Sequence, residues 1–242
     1  MAPAPTPPEW NFGHVAGVCD VSFIGSGEDA RLVTCGADST VTLRHPDTAE
    51  VEESFTEDHE DAVNVVAVAP DGAKFATGSD DNCVKLFNFA GVTREFESNV
   101  VRFQLPVRAL AYSADGTLLA AGGEDSTVKV IKMDDRSVAH ELATRSKCTK
   151  SVAFDPKGDY LSAVDDTGVL TVWALRAITD DDNDDDAADA DADADDEDDK
   201  KAAAEPGEIV LSATTAPVTE PDSPAVNRAA WRPDGAVRHP RP

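Results

Sequence analysis

The sequence predicts an all-β protein made of a repeated unit of strands and tight turns. One short phrase recurs at intervals of 42 to 44 residues, the last copy more loosely than the others. Its copies end at Arg44, Phe87, Ile131 and Trp173. Short apolar runs keep nearly the same period. These runs end at Phe23, Val68, Tyr112 and Phe154. Because Pro, Asp, Gly and Ser separate the runs, each unit is expected to hold several short strands joined by turns.

Sheets of this size need neighbours, because one four-stranded sheet cannot bury both faces, whereas sheets stacked around an axis cover one another. The period fits the roughly 40–45 residues of a WD-type propeller blade. We therefore predict a WD40-type β-propeller with four recognisable blades, each phrase forming the second turn and an inner strand of one blade. Residues 225–235 repeat the opening of a blade and predict the start of a fifth.

The expected domain is a partial propeller over residues 10–242, preceded by a disordered segment over residues 1–9. A seven-blade ring needs roughly 300 residues at this period, so the predicted ring is incomplete. Residues 236–242 contain two prolines and no alternating apolar run. Proline cannot donate to a sheet ladder, so we expect the chain to stop inside its fifth blade.

Polar residues recur at matching positions of the first two units. Unit one carries His14, Thr34 and Asp38, and unit two carries His59, Thr77 and Asp81 at the same spacing. WD blades use such a His–Thr–Asp set as a hydrogen-bond network that fastens a turn to the strands, and a buried network of this kind stabilises most when every member is satisfied.

The third unit keeps only Asp125 of this set, with Phe103 and Ala121 at the other two positions, so the network is lost as a unit. Trp173, which ends the fourth phrase, is assigned to the same structural set. A hydrolase triad is the competing interpretation, but two copies in one chain and no strand–nucleophile–helix elbow favour a structural role.

Composition limits the classes of function. The chain has no phosphate-binding loop, HExxH or GxSxG motif, so we predict no enzyme activity and no cofactor. Four cysteines without CxxC spacing predict neither a disulfide framework nor a zinc site. The first residues lack the features of a secretory signal, and no apolar run approaches the roughly 18 residues of a membrane span. A reducing compartment, cytosolic or nuclear, is expected.

The net charge of −26 is concentrated in one segment, residues 180–199, which contains 13 Asp and one Glu. Like charges without apolar residues predict disorder, and we place a disordered insertion over residues 179–207, inside blade four. Its outer strand is then delayed to residues 208–213. A calcium loop is excluded because Gly and Glu are missing at the required positions. Two roles remain open: contact with a basic partner such as a histone tail, or shielding of a basic surface. The candidate contact residues are Asp180, Asp186, Asp191 and Asp199.

One column of residues precedes each strand-closing position by four. Its members are Cys19, Asn64, Arg108, Lys150 and Asn227. In a propeller this position lies near one rim of the central channel, where partner peptides often bind. Four of its five members are polar within otherwise apolar strands. A contact site for partners at Asn64, Arg108, Lys150 and Asn227, and mere solvation, are both open.

Several phrases resemble one family, the chromosome transmission fidelity adaptors, also called WD repeat and HMG-box DNA-binding proteins. The most specific is "TREFESNVVRFQLPVR", which replaces the usual Gly-His entry of a blade with an apolar segment. "VDDTGVLTVWAL" and "AVNRAAWRPDG" are similar to the family's following units. The resemblance covers roughly residues 10–235, interrupted by the acidic insertion.

This resemblance implies a nuclear, non-catalytic scaffold of the DNA replication machinery. Such proteins couple the replicative helicase to DNA polymerase alpha–primase and recruit clients, with indirect association with DNA or chromatin and none with membranes. The full-length proteins are homotrimers through a module absent from these 242 residues. Three alternatives stay open: a ubiquitin-ligase substrate receptor, an RNA-processing scaffold, or a histone-binding chaperone acting through the acidic segment.

Overall fold

The computed structural model describes residues 13–90, 93–144, 148–175, 209–214, 230–231 and 237–238. These residues form strands and turns, with a single 3-10 turn at Gly27–Asp29. Among them, no helix is long and apolar enough to cross a membrane. The acidic segment and Asn227 lie outside the described residues.

Four antiparallel sheets follow one another along the chain, each with its strands in sequence order. Blade one contains β1 (Val18–Ile24), β2 (Arg31–Gly36), β3 (Val41–Arg44) and β4 (Val51–Phe55). Blade two contains β5 (Val63–Val68), β6 (Lys74–Ser79), β7 (Cys83–Ala90) and β8 (Thr93–Arg102). Blade three contains β9 (Val107–Tyr112), β10 (Leu118–Gly123), β11 (Thr127–Lys132) and β12 (Val138–Ala143). Blade four contains β13 (Thr149–Phe154), β14 (Tyr160–Asp165), β15 (Val169–Ala174) and β16 (Ile209–Thr214).

The first strands of the blades lie side by side, β1 next to β5, β5 next to β9 and β9 next to β13. This arrangement makes them the inner strands around the axis and leaves β4, β8, β12 and β16 outermost. The prediction of an all-β WD40-type propeller is confirmed. Each repeat phrase forms the second turn and the third strand, which is interior to its sheet but is not the strand nearest the axis.

A two-stranded hairpin follows blade four, formed by β17 (Ala230–Trp231) and β18 (Val237–Arg238), with β17 next to β13. It lies where the start of a fifth blade was predicted. In this hairpin Trp231 pairs with Val237 and Ala230 pairs with Arg238. Two residues per strand are too few to show an alternating apolar pattern, so the sequence does not indicate these strands.

Apolar side chains pack between successive blades. Between blades one and two, Ile24 and Leu43 pack with Phe75 and Phe87, whose rings stack with centroids 5.0 Å apart. Between blades three and four, Val130 packs with side chains that include Trp173. Burial of apolar area between stacked sheets stabilises an array of blades.

The repeated phrases contain a turn with a fixed conformation. One residue of each second turn has a left-handed backbone, which L residues adopt at a cost unless they are Gly or Asn. These residues are Ser39, Asn82, Ser126 and Gly168, with φ between 63° and 80°. The preceding aspartates compensate by accepting hydrogen bonds from the backbone two residues further on.

Candidate functional site

In blade one the structure brings the three predicted network residues together. His14 Nδ1 lies 2.9 Å from Asp38 Oδ1, and His14 Nε2 lies 2.9 Å from Thr34 Oγ1. The chain of contacts continues inward, because Thr34 Oγ1 is 2.7 Å from Thr42 Oγ1, which accepts from Arg44 Nε at 3.2 Å. His14 precedes β1 and Asp38 lies in the β2–β3 turn, so the network fastens the entry to the blade onto that turn.

Blade two repeats the arrangement with one change. His59 Nδ1 is 2.7 Å from Asp81 Oδ2, and His59 Nε2 is 2.7 Å from Thr77 Oγ1. Here Lys85 takes the place of the second threonine, with its Nζ 3.6 Å from Asp81 Oδ2. Lys85 also donates to the carbonyl of Asp58. The side chains of His59 and Asp81 are 0% and 7% exposed, so this is a buried ionic network.

Both aspartates are held in the charged form. Burial alone would raise the pKa of Asp38, but hydrogen bonds from Thr40, His14 and the Val15 amide outweigh it and hold that pKa well below its usual range. Burial would also raise the pKa of Asp81, but the hydrogen bond and the charge of His59 outweigh that effect. The pKa of Asp81 is therefore also held well below its usual range. Carboxylates that accept several hydrogen bonds behave in this way.

Blade three replaces the network with apolar packing. Phe103 and Ala121 belong to one buried cluster, and Lys129 Nζ lies 4.8 Å from the centre of the Phe103 ring. Asp125 keeps its turn bond, because it accepts from the Thr127 amide at 3.2 Å and from the Thr127 hydroxyl at 2.7 Å. Asp125 is therefore a turn residue here.

In blade four, Trp173 is 1% exposed and packs in the core between blades three and four. The turn bonds of this blade come from Asp165, which accepts from the amides of Thr167 and Val169 at 2.9 Å each. Asp165 lies two positions earlier than the network aspartates. The repeat spacing points to position 167, which is a threonine, and therefore does not single out Asp165.

The rim column contains a second polar network, between blades two and three. Asn64 donates to Asp80 Oδ1 at 2.7 Å and to the Val107 carbonyl at 3.0 Å. Arg108 donates to Asn64 Oδ1 at 2.7 Å and to Glu124 Oε1 at 2.8 Å. Its guanidinium is also 3.1 Å from Asp80. Neither Asp80 nor Glu124 stands out in the sequence, although each directly precedes an aspartate of a repeat phrase, Asp81 or Asp125.

A similar link joins blades one and two, because the Val66 amide donates to Asp20 Oδ2 at 3.1 Å. The inner strands line an open cavity of about 680 Å³, and its lining includes Cys19, Asp20, Asn64, Arg108 and Lys150. Lys150 is exposed at this rim. Among the described residues, the cavity lining combines the exposed Lys150 with the carboxylate of Asp20, which the Val66 amide holds in place.

The described residues offer little for catalysis or metal binding. All four cysteines are free, and burial raises the pKa of each thiol, which disfavours the nucleophilic thiolate. No group of three or more His, Cys, Asp or Glu side chains in this part of the chain is arranged to hold a metal ion.

Comparison with known proteins agrees with the fold. The sequence pattern of the family "WD domain, G-beta repeat" matches residues 51–88 and 98–132. The chain therefore contains WD-type repeats over these two ranges. The first range runs from β4 of blade one through most of β7 in blade two, and the second runs from the end of β8 through β11 of blade three.

The WD-repeat chain is similar to WD repeat and HMG-box DNA-binding protein 1 of Xenopus laevis, with 29% identity over 168 residues, which is 68% of this chain and 14% of the relative. Minichromosome loss protein 1 of Schizosaccharomyces pombe is 26% identical over 159 residues, 66% of this chain and 19% of the relative. Apoptotic protease-activating factor 1 of Rattus norvegicus is 27% identical over 162 residues, 67% of this chain and 12% of the relative.

The predicted resemblance to WD repeat and HMG-box DNA-binding proteins is confirmed by these similarities. The chain spans less than a fifth of the length of each of these relatives. Because the identity to apoptotic protease-activating factor 1 is comparable, the similarity is not confined to proteins of one name.

Proposed function

We propose that this WD-repeat chain is a non-catalytic scaffold of the DNA replication machinery, acting in the nucleus, and that it binds partner proteins at the channel rim formed by Asn64, Arg108 and Lys150. The observation that carries the proposal is the rim itself. An open cavity of about 680 Å³ is bordered by carboxylates in fixed positions and by the exposed ammonium group of Lys150.

Rigid rim residues suit recognition, because groups that are already ordered lose little conformational entropy when a partner binds. Arg108 is held by Asn64, Asp80 and Glu124, and Asn64 is held by the backbone of the neighbouring blade. Lys150 is exposed at the same rim and can pair with a carboxylate or a carbonyl of a bound chain.

A binding role also fits the chemistry of the histidines. Both ring nitrogens of His14 and of His59 are engaged within buried networks. A nucleophilic mechanism needs a base beside a nucleophile that substrate can reach. The Thr34 and Thr77 hydroxyl groups that face these bases are 0% exposed, so the sets support a structural role.

By resemblance, the partners are the replicative helicase and DNA polymerase alpha–primase. The test uses the full chain, immobilised, with each purified complex as the probe in biolayer interferometry. Lys150→Glu should weaken binding about tenfold, which is the effect of losing about 1.4 kcal/mol. Lys157→Glu is the matched control, because Lys157 is also an exposed lysine of blade four but lies in the β13–β14 turn.

Absence of binding by the unaltered chain to both complexes would refute the replication role. Equal weakening by the two lysine variants would refute the rim, because it would show a general effect of charge. A WD adaptor outside replication is the second candidate, supported by the similarity to apoptotic protease-activating factor 1. In that case neither probe binds.

A further inference from the structure

The loops that enter blades two and three lie at the same end of the sheets. Strands β5, β7 and β9 begin at this end and strands β6 and β8 end there, because neighbouring strands of each sheet are antiparallel. Residues 56–62 lead into blade two, and residues 103–106 lead into blade three. Both blades have a described blade on each side, so these two loops lie within the array.

The second turn of blade two connects the two loops. The amide of Glu60 donates to Asp81 Oδ2 at 3.3 Å, and the carbonyl of Asn82 accepts from the Phe103 amide at 2.8 Å. The loops and the turn therefore form one continuous surface across the boundary between blades two and three. We call it the entry surface, and its exposed side chains are Glu57, Glu60, Asp61, Gln104 and Leu105.

Leu105 is held in an exposed position on this surface. Its side chain is 46% exposed. The backbone is fixed on both sides of it, because the Phe103 amide donates to blade two and the Pro106 carbonyl accepts from the Glu124 amide at 3.0 Å. A residue that precedes proline is also restricted to an extended backbone. A partner that packs on Leu105 therefore pays little entropy to order this loop.

The same end of blades two and three carries an excess of carboxylates. Four stretches of the chain hold eight Asp and Glu but only four Lys and Arg. The stretches are residues 57–61, 80–85, 102–108 and 124–129. Lys85, Arg108 and Lys129 contact groups of the chain itself, and of the four cations only Arg102 is exposed. Such a charge balance attracts a positively charged partner and repels an acidic segment or a nucleic acid.

We propose that the entry surface binds a lysine- or arginine-rich segment of another protein that carries an apolar side chain. The apolar side chain packs on Leu105, and the cations lie beside Glu60 and Asp61. A single exposed leucine is common on protein surfaces and marks no site by itself. Here the leucine has a fixed backbone and lies among carboxylates, which is the apolar centre and polar border of a protein interface. This surface is a second contact region, in addition to the rim that includes Lys150.

The experiment measures binding of the full chain to three short synthetic peptides by fluorescence anisotropy. The first is lysine-rich with one central leucine, the second has serine in place of that leucine, and the third keeps the leucine but has glutamate in place of every lysine. The charge of residues 180–199 acts equally on the first two peptides. The ratio of their two dissociation constants therefore reports the apolar contact alone.

The leucine peptide should bind about fivefold more tightly than the serine peptide, because about half of the Leu105 side chain is available for burial. Leu105→Ser should reduce that ratio to about one. Val138→Ser is the matched control, since Val138 is 45% exposed but lies on the outer strand β12, and it should leave the ratio unchanged. Circular dichroism checks that each variant is folded, and Leu105→Ala, a smaller change, replaces Leu105→Ser if that variant is not.

A second pair of variants tests the charge. Glu60→Gln should weaken binding of both lysine peptides about twofold at low salt, and the effect should fade as salt screens the charge. Glu28→Gln is the control, because Glu28 is an exposed carboxylate in the β1–β2 connection at the opposite end of the sheets, and it should have a smaller effect.

Three results would overturn the proposal: equal binding of the leucine and serine peptides, a leucine preference that survives in Leu105→Ser, or binding of the glutamate peptide as tight as that of its lysine counterpart. Lys150→Glu should leave the leucine preference unchanged. Loss of the preference in that variant would place the peptide at the rim and would also overturn the proposal.

Discussion

Replacing Asp81 with alanine should destabilise the chain more than replacing Asp125, although both occupy the same position of their repeats. Asp81 is 7% exposed and accepts from His59 Nδ1 at 2.7 Å and from the Cys83 amide at 2.9 Å, with Lys85 Nζ 3.6 Å away. Asp125 accepts only local bonds, from the amide and hydroxyl of Thr127.

The difference can be estimated from the groups left without partners. Asp81→Ala leaves a buried imidazole N–H of His59 unpaired, which costs about 1–3 kcal/mol, and it also removes the bond to the Cys83 amide, worth about 1 kcal/mol. Asp125→Ala removes a half-buried turn bond and leaves groups that water can reach, at about 1 kcal/mol. We therefore expect Asp81→Ala to cost about 2 kcal/mol more.

Urea denaturation followed by circular dichroism measures this difference. With a slope of about 2 kcal/mol per molar urea, the two midpoints should lie about 1 M apart, at an unchanged slope. Equal midpoints for the two variants would refute the reasoning, because they would show that the His59 bond adds nothing to the turn. A changed slope would point to altered compactness instead.

Acid provides an independent check on the same carboxylate. The folded-state pKa of Asp81 is held below its unfolded value of about 3.9, so the stabilisation is fully present above pH of about 4 and is lost as pH falls toward the folded pKa. The stability gap between the unaltered chain and Asp81→Ala should narrow as pH is lowered from neutral to about 2. A gap that widens in acid would contradict this sign.

Three further outcomes follow from the packing. Phe103→His should cost about 1–3 kcal/mol, because it buries an imidazole beside an alanine, and adding Ala121→Thr should recover part of that loss in a double-mutant cycle by urea denaturation. Gly122→Ala should cost about 1–3 kcal/mol because a Cβ there would lie 2.7 Å from a side chain of the next blade, whereas Gly17→Ala, with nothing within 4 Å, should change the urea midpoint little. Deleting residues 179–205 should leave the circular dichroism spectrum and melting temperature nearly unchanged, because the segment offers no apolar surface to the core. The deletion should weaken binding to histones, because it removes negative charge. Loss of the β spectrum would contradict the first expectation, and unchanged histone binding would contradict the second.

The fold was predictable because few residue types can occupy the key turn positions of each repeat. A left-handed residue in each second turn and an aspartate that accepts the amide two positions later leave a recognisable phrase at each blade. The hairpin of β17 and β18 was harder, since two residues per strand carry no measurable alternation.

The polar sites were only partly predictable. Spacing from a common strand end singled out His14, Thr34 and Asp38, but it could not reveal Thr42 or Lys85. These two residues occupy the same repeat position and share no chemistry except hydrogen bonding. When the residue type at a repeat position changes from blade to blade, the sequence shows no recurring residue at that position.

The rim column shows a different limit. The sequence left open whether Asn64 and Arg108 contact partners or only solvent, yet both side chains first bind their own neighbours across a blade boundary. These links join residues 43 and 44 positions apart. The sequence gives this spacing but does not show which neighbouring group each side chain contacts. Any partner at this rim would therefore meet Arg108 already paired with carboxylates, whereas Lys150 is exposed.

In blade three the histidine and threonine of the network are both replaced, whereas the turn aspartate is kept. The histidine and threonine contact each other across the blade, so either one alone would leave a buried polar atom unsatisfied, and Phe103 with Ala121 removes both polar groups at once. Asp125 is retained because its bonds lie within its own turn and do not depend on a histidine. The network therefore consists of two separable parts, a local turn bond and a long-range histidine contact. The second part can be exchanged for apolar packing without changing the strand order of the blade.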